Sequence, residues 1–165
     1  MSLIVQKYGG TSMGSPERIR EVARRVARFA NEGHRLVVVP SAMAGETNRL
    51  LGLARELNPD PDPRELDVIA STGEQVSIGL LALALQAIGL KAKSYTGWQA
   101  GVLTDSAFTR ARIVEINQKK ILSDLQAGYV ADRWGTQTAI AANGCVVLVY
   151  ALALARWNPA IRRLD

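Results

Sequence analysis

Lys7, Gly9 and Gly10 close a short apolar run, Leu3-Ile4-Val5, and are the residues of this chain best suited to holding a phosphate. The run reads as a buried strand. Ser15-Pro16-Glu17 reads as a helix start, with Ser15 as N-cap and Pro16 at the first helical position. Strand, glycine turn and helix in succession point several backbone N–H groups at one place. Glycine permits positive φ and lets a ligand approach the backbone. Lys7 would add a mobile positive charge beside that cradle. The spacing is neither the P-loop pattern nor G-x-G-x-x-G, and Gly-Gly is also ordinary turn chemistry. A phosphate cradle and a plain tight turn both remain open.

Two further stretches carry polar groups where chemistry is done. Leu36-Val37-Val38-Val39 is β-branched and apolar throughout, as expected of a strand buried on both faces. Pro40 cannot donate to a ladder and should end it. The stretch from Ser41 to Asn48 then lines a turn at the strand's carboxyl end, where open α/β sheets place ligands. Alternatively, Thr47 or Asn48 caps a helix from Arg49 to Leu57. The third stretch is Ser71-Thr72-Gly73-Glu74-Gln75, in the middle of a helical pattern from Arg64 to Ala87. A glycine inside a helix costs about 1 kcal/mol against alanine, which invites a local reason. A close approach with Glu74 held at a site to bind an ammonium group is one reading. An ordinary kink with an exposed glutamate is the other.

Taken together, K-Y-G-G-T-S at 7–12, S-A-M-A-G-E-T-N at 41–48 and S-T-G-E-Q-V-S at 71–77 resemble the signatures of the aspartate kinases, in the amino acid kinase superfamily. T-G-W-Q-A-G at 96–101 and T-D-S-A-F-T-R-A at 104–111 are similar to that family as well. Pro40, in place of another strand former, and Phe108, in place of a polar ring, depart from its pattern. The resemblance implies an α/β fold, a three-layer αβα sandwich with a mostly parallel central sheet, here truncated. It implies phosphoryl transfer from ATP to the side-chain carboxylate of L-aspartate, giving 4-phospho-L-aspartate in lysine, threonine and methionine biosynthesis. Lys7, Tyr8, Gly9, Gly10 and Ser41 would lie at the ATP phosphates, with Lys7 as the catalytic cation. Thr47 and Glu74 would hold the amino acid. Mg²⁺ would be bound through the nucleotide, with no metal ligands from the protein.

Bulk properties agree with a globular protein. The 165 residues are 48% hydrophobic and 21% charged, with a net charge of +5. One domain over 1–165 is the simplest organisation. No basic run interleaved with aromatics appears, which argues against nucleic acid. The single Cys145 excludes a disulfide framework and reads as a small buried hydrophobe. The N-terminus enters a strand at once, so no secretory signal is expected. Neither Val76 to Leu90 nor Cys145 to Ala155 reaches the roughly 20 residues of a membrane helix, and a cytoplasmic protein is expected.

The remaining elements follow from periodicity. Ile19, Val22, Ala23, Val26 and Ala30 share one face of a helix from Pro16 to Asn31, with arginines opposite as a solvated face and Gly33 as its stop. His34 reads as loop surface. Lys91 to Thr96, Val102 to Asp105 and Ala111 to Ile116 read as strands, and Gln118 to Gln126 as a short helix. Trp98, beside glycines, reads either as a buried aromatic or as a stacking platform.

The family pattern holds over 1–126 and stops at about Ala127, leaving 127–165 as a divergent tail. The family would next supply a G-F-x-G turn and a G-R-G-G-S-D-T loop. No residue here matches that loop's Arg or Asp. Cys145 to Tyr150 would serve as a replacement strand. A frameshifted, chimeric or truncated coding sequence would explain the change, and translating the flanking DNA in its other frames tests this. The alternatives are thus an aspartate kinase, completed by a homo-oligomer, and a non-catalytic remnant that associates through an exposed sheet edge. A kinase acting on glutamate or a nucleoside monophosphate is disfavoured by K-Y-G-G-T-S together with S-T-G-E.

Overall fold

A computed structural model describes residues 2–117, 119 and 121–125. The chain divides into two compact units, Met1–Asn117 and Gln118–Asp165. In the second unit residues 119 and 121–125 are helical, within the helix expected from Gln118 to Gln126. The strand expected over Cys145 to Tyr150, the burial of Cys145 and the divergent tail lie outside the described residues.

The first unit opens with β1 (Leu3–Tyr8), α1 (Pro16–Asn31) and β2 (Arg35–Pro40). β1 and β2 are parallel and in register, from Leu3 opposite Arg35 to Tyr8 opposite Pro40. This strand–helix–strand start gives the α/β class expected, because parallel neighbours need a crossover and α1 supplies it. Alternation sorts the side chains: Ile4, Gln6 and Tyr8 point to one face, Leu3, Val5 and Lys7 to the other. The first face, with Leu36 and Val38, packs on Met13, the α1 stripe of Ile19, Val22, Ala23 and Val26, and Leu81 and Leu85 from α3 (Pro63–Ala87). The other face corrects the expectation of burial on both sides. Val5 is 66% exposed and Val39 48%. Among the described residues, no element covers them.

α3 has the length and apolar content of a membrane-crossing helix. Its Gly73, Ser77, Leu81 and Leu85 nevertheless form a buried stripe at four-residue spacing, and this unit uses it as a core helix. Asp62 caps it, accepting from the amides of Arg64 (2.8 Å) and Glu65 (3.4 Å), and Pro63 follows at the position where its missing N–H costs nothing. Asp62→Ala is expected to lower stability by about 1 kcal/mol, read as a lower urea midpoint at unchanged slope, with Asp62→Asn retaining most of it.

α2 (Glu46–Leu57) starts three residues earlier than expected. Its N-cap is Gly45 at φ +81°, without a side-chain bond, so neither Thr47 nor Asn48 serves as the cap. The first turn is held by Arg49, which forks onto both oxygens of Glu46 at 2.8 and 2.7 Å. That guanidinium holds the Glu46 carboxyl below the usual glutamate range.

Residues 91–96 carry no strand, against expectation. A strand exists through its ladder, and among the described residues none lies beside this segment to pair with it. β3 (Val102–Thr104) and β4 (Ile113–Ile116) form an antiparallel hairpin with an irregularity between Leu103 and Thr104. Gly101 sits at φ +76°, and a Cβ there would lie 2.5 Å from the Asn117 carbonyl oxygen. Only glycine fits.

Candidate active site

Because β1 and β2 run parallel, the loops leaving their carboxyl ends start side by side. The first loop is a tight turn: Ser12 and Met13 donate to the carbonyls of Gly9 (3.0 Å) and Gly10 (3.1 Å). The second is tied to β1 by the Ser41 amide, which donates to the Tyr8 carbonyl at 2.8 Å. Neither Gly9 nor Gly10 adopts a positive φ, so the conformational reason expected for them is not the one the structure uses. Gly10 is favoured by proximity: a Cβ there would crowd the Ala42 carbonyl at 3.1 Å. At Gly9 a Cβ would meet nothing within 4 Å. That open space is where a ligand can come up to the backbone. Among the described residues, the amides of Gly9, Gly10 and Thr11 have no protein acceptor. Lys7 stands exposed beside them with no carboxylate partner in that set.

The third stretch joins at Ala42, which is 3% exposed. A Cβ at Gly73 would lie 3.1 Å from the Ala42 Cβ, so the glycine inside α3 marks a close approach rather than an ordinary kink. One residue on, a Glu74 oxygen accepts from the Ala42 amide at 3.4 Å. The amide, methyl and carbonyl of Ala42 thereby face Glu74, Gly73 and Gly10 respectively. Thr47 is on the first turn of α2, next to Glu46, whose Cγ lies 3.6 Å from the Gly73 Cβ position. The segments carrying Lys7, Gly9, Gly10, Ser41, Thr47 and Glu74 therefore meet in one place. Tyr8 stands apart. Its side chain is 8% exposed within the core, its hydroxyl donates to the Gln6 side chain at 3.0 Å, and burial raises its pKa. Only its backbone borders the site.

Sequence reasoning passed over three features. Arg18, read as part of a solvated face, donates to the Thr11 carbonyl at 3.0 Å and fixes the glycine turn. Met13 is fully buried beneath that turn. Ser77 is fully buried with no partner for its hydroxyl among the described residues; the S-T-G-E-Q-V-S spacing placed it four residues after Gly73, on the same helical face. Trp98 is 78% exposed and belongs to no core. His34 is half-buried, its Nδ1 2.9 Å from the Ser2 hydroxyl.

A parallel strand–helix–strand start with a glycine turn and a polar loop at the strands' carboxyl ends defines the opening of an α/β domain, a class that places its ligands at that end of the sheet. The chain belongs to the amino acid kinase family, whose model matches residues 2–131. Its relatives are aspartate kinases. It is 53% identical to the aspartate kinase of Pseudomonas fluorescens (strain SBW25) over 165 residues, covering 94% of this chain and 40% of that one. It is 58% identical to the aspartokinase of Pseudomonas aeruginosa over 130 residues, covering 79% of this chain and 32% of that protein. The crystal structure of aspartate kinase from Synechocystis matches with a TM-score of 0.52 at 56% identity, over 53% of this chain and 15% of that chain. That of E. coli aspartokinase III in complex with aspartate and ADP matches with a TM-score of 0.65 at 21% identity, over 76% and 39%; this likeness concerns the fold. The chain spans well under half the length of the relatives it matches.

Proposed function

We propose that this chain carries the phosphate-cradling and aspartate-orienting part of an aspartate kinase site. The reaction is transfer of the γ-phosphoryl group of ATP to the side-chain carboxylate of L-aspartate. The observation that carries the reading is the junction at Ala42, which sets Gly10 and the carboxylate of Glu74 against one loop, next to the amides of residues 9–11 that have no protein acceptor among the described residues. The names of the relatives support aspartate as the acceptor in a kinase reaction.

The nucleophile needs no base, since an aspartate carboxylate with a pKa of about 3.9 is ionised at pH 7. A carboxylate oxygen attacks the γ-phosphorus, the bond to the β-phosphate oxygen breaks, and ADP leaves. The protein's part is positioning and charge neutralisation. In this reading Lys7 neutralises the phosphates, the 9–11 amides and Ser41 cradle them, and Arg18 keeps the turn in shape. Glu74 takes the α-ammonium group of aspartate, and Thr47 hydrogen-bonds the same substrate. The described residues gather no cluster of three His, Cys, Asp or Glu side chains, and Mg²⁺ would be held by the nucleotide's own oxygens, where it supplies further charge neutralisation. The reading places the chain in the cytoplasm, in lysine and threonine biosynthesis, with a second copy able to complete the site.

The test is aspartate-dependent ADP release by the purified chain with Mg²⁺. Glu74→Gln, which keeps the shape and removes the charge, is expected to raise the KM for aspartate roughly 10–100-fold while leaving that for ATP unchanged. Equal shifts in both would remove Glu74 from its role. A folded chain with no aspartate-dependent ADP release would overturn the catalytic reading in favour of a non-catalytic remnant.

A further inference from the structure

The loop that follows β2 is held by two neighbours. One is the glycine turn. A Cβ at Gly10 would lie 3.1 Å from the Ala42 carbonyl oxygen and 3.7 Å from the Ala44 Cα, and one at Gly14 would lie 3.5 Å from the Ala44 Cβ. Two glycines of the turn thus rest on two small residues of the loop, with no long side chain between them to absorb a displacement. The other neighbour is α3. A Cβ at Gly73 would lie 3.1 Å from the Ala42 Cβ, and the Ala42 amide donates to the Glu74 carboxylate at 3.4 Å. The start of the loop is anchored where the Ser41 amide donates to the Tyr8 carbonyl at 2.8 Å.

The bond from Ala42 to Glu74 is at the long end of the N–H···O range, which leaves it room to shorten. An anion seated on the amides of the glycine turn takes freedom from the turn and, through Gly10 and Gly14, from the loop. The Ala42 amide is then fixed where it meets the Glu74 carboxylate. Part of the ordering that an ammonium group demands of Glu74 is already done before that group arrives. Resting on the proposed assignment of the turn to phosphate and of Glu74 to the α-ammonium group, we infer that Ala42 is a positioning residue that couples the two subsites. Phosphate on the turn raises the affinity for aspartate, and aspartate raises the affinity for phosphate by the same factor. Direct interaction between the ligands has the opposite sign. Aspartate carries one net negative charge at pH 7, and like charges weaken each other's binding. Positive coupling must therefore pass through the protein.

Calorimetric titration of the full chain with L-aspartate, with and without saturating inorganic pyrophosphate, reads the coupling. Pyrophosphate is expected to lower the Kd for aspartate about fivefold or more, and aspartate to lower that for pyrophosphate by the same factor. Ala42→Gly keeps the amide and the carbonyl, removes the methyl group that meets Gly73, and frees the backbone. Both ligands are expected to bind this variant, with the factor falling towards one. Hydrogen exchange on the unsubstituted chain gives a second reading, in which pyrophosphate alone slows exchange at the Ala42 amide severalfold. If Ala42→Gly fails to fold by circular dichroism, the sign of the coupling and this exchange rate decide. Equal Kd values for aspartate with and without pyrophosphate, weaker binding in its presence, a factor unchanged in Ala42→Gly, or an Ala42 amide indifferent to pyrophosphate would each overturn the inference while leaving both subsites in place. A folded chain that binds fewer than both ligands would overturn the proposed function together with it.

Discussion

Lys7→Ala is expected to lower aspartate-dependent ADP release by ~10²–10³-fold, the usual effect of removing one preorganised stabiliser of transition-state charge. In the proposed role the loss should fall on kcat, because the charge Lys7 would meet grows as the phosphoryl group transfers. Stability should hardly move. Lys7 lies on the exposed face of β1 and pairs with no carboxylate among the described residues, and such surface changes stay within about 0.5 kcal/mol. An unchanged urea midpoint beside a collapsed rate would mark a chemical role. Lys7→Arg keeps the charge but replaces a compact ammonium with a planar fork, and partial recovery is expected. Unchanged turnover in Lys7→Ala would remove this lysine from the reaction.

The second large effect is expected at Gly73. Its Cβ position already lies 3.1 Å from the Ala42 Cβ and 3.5 Å from Leu50 Cδ1, so alanine must push the loop by a few tenths of an ångström. The helix gains about 1 kcal/mol from the same change, and the two effects nearly cancel in stability. Gly73→Val has no such compensation. Two methyl groups driven into Ala42 and Leu50 are expected to cost ~1–3 kcal/mol, and the Glu74 bond to the Ala42 amide is lost with the approach that makes it. In a kinase assay Gly73→Ala should raise the aspartate KM while the melting temperature stays within a degree or two. A melting temperature that falls in step with activity would mean Gly73 serves packing alone.

The parts legible in the sequence are those whose signal is local. α1 was bounded at both ends because Ser15, Pro16 and Gly33 act within a turn of where they stand. β1 and β2 followed from apolar runs, and α3 from its period and Pro63. What escaped depends on partners distant in sequence. The turn glycines looked like conformational requirements, yet Gly10 answers to the Ala42 carbonyl, which no local pattern announces. Burial of both faces of β2 was read from its composition, but composition does not say whether a covering layer is present. The segment over 91–96 has strand-like residues and lacks a ladder. Arg18 looked like its neighbours and was distinguished only by a contact seven residues back.

The order in which the core is assembled has a consequence for synthesis. β1, α1 and β2 are complete once Pro40 has been made, but the face they share is sealed by Leu81 and Leu85. At ~5–20 residues per second, several seconds separate those two moments on a ribosome. Throughout that interval the inner face of Leu36 and Val38 has α1 on one side and nothing from α3 on the other. A nascent chain halted between Pro40 and Leu81 should therefore be held by chaperones that grip apolar surface, and one extended past Leu85 should be released.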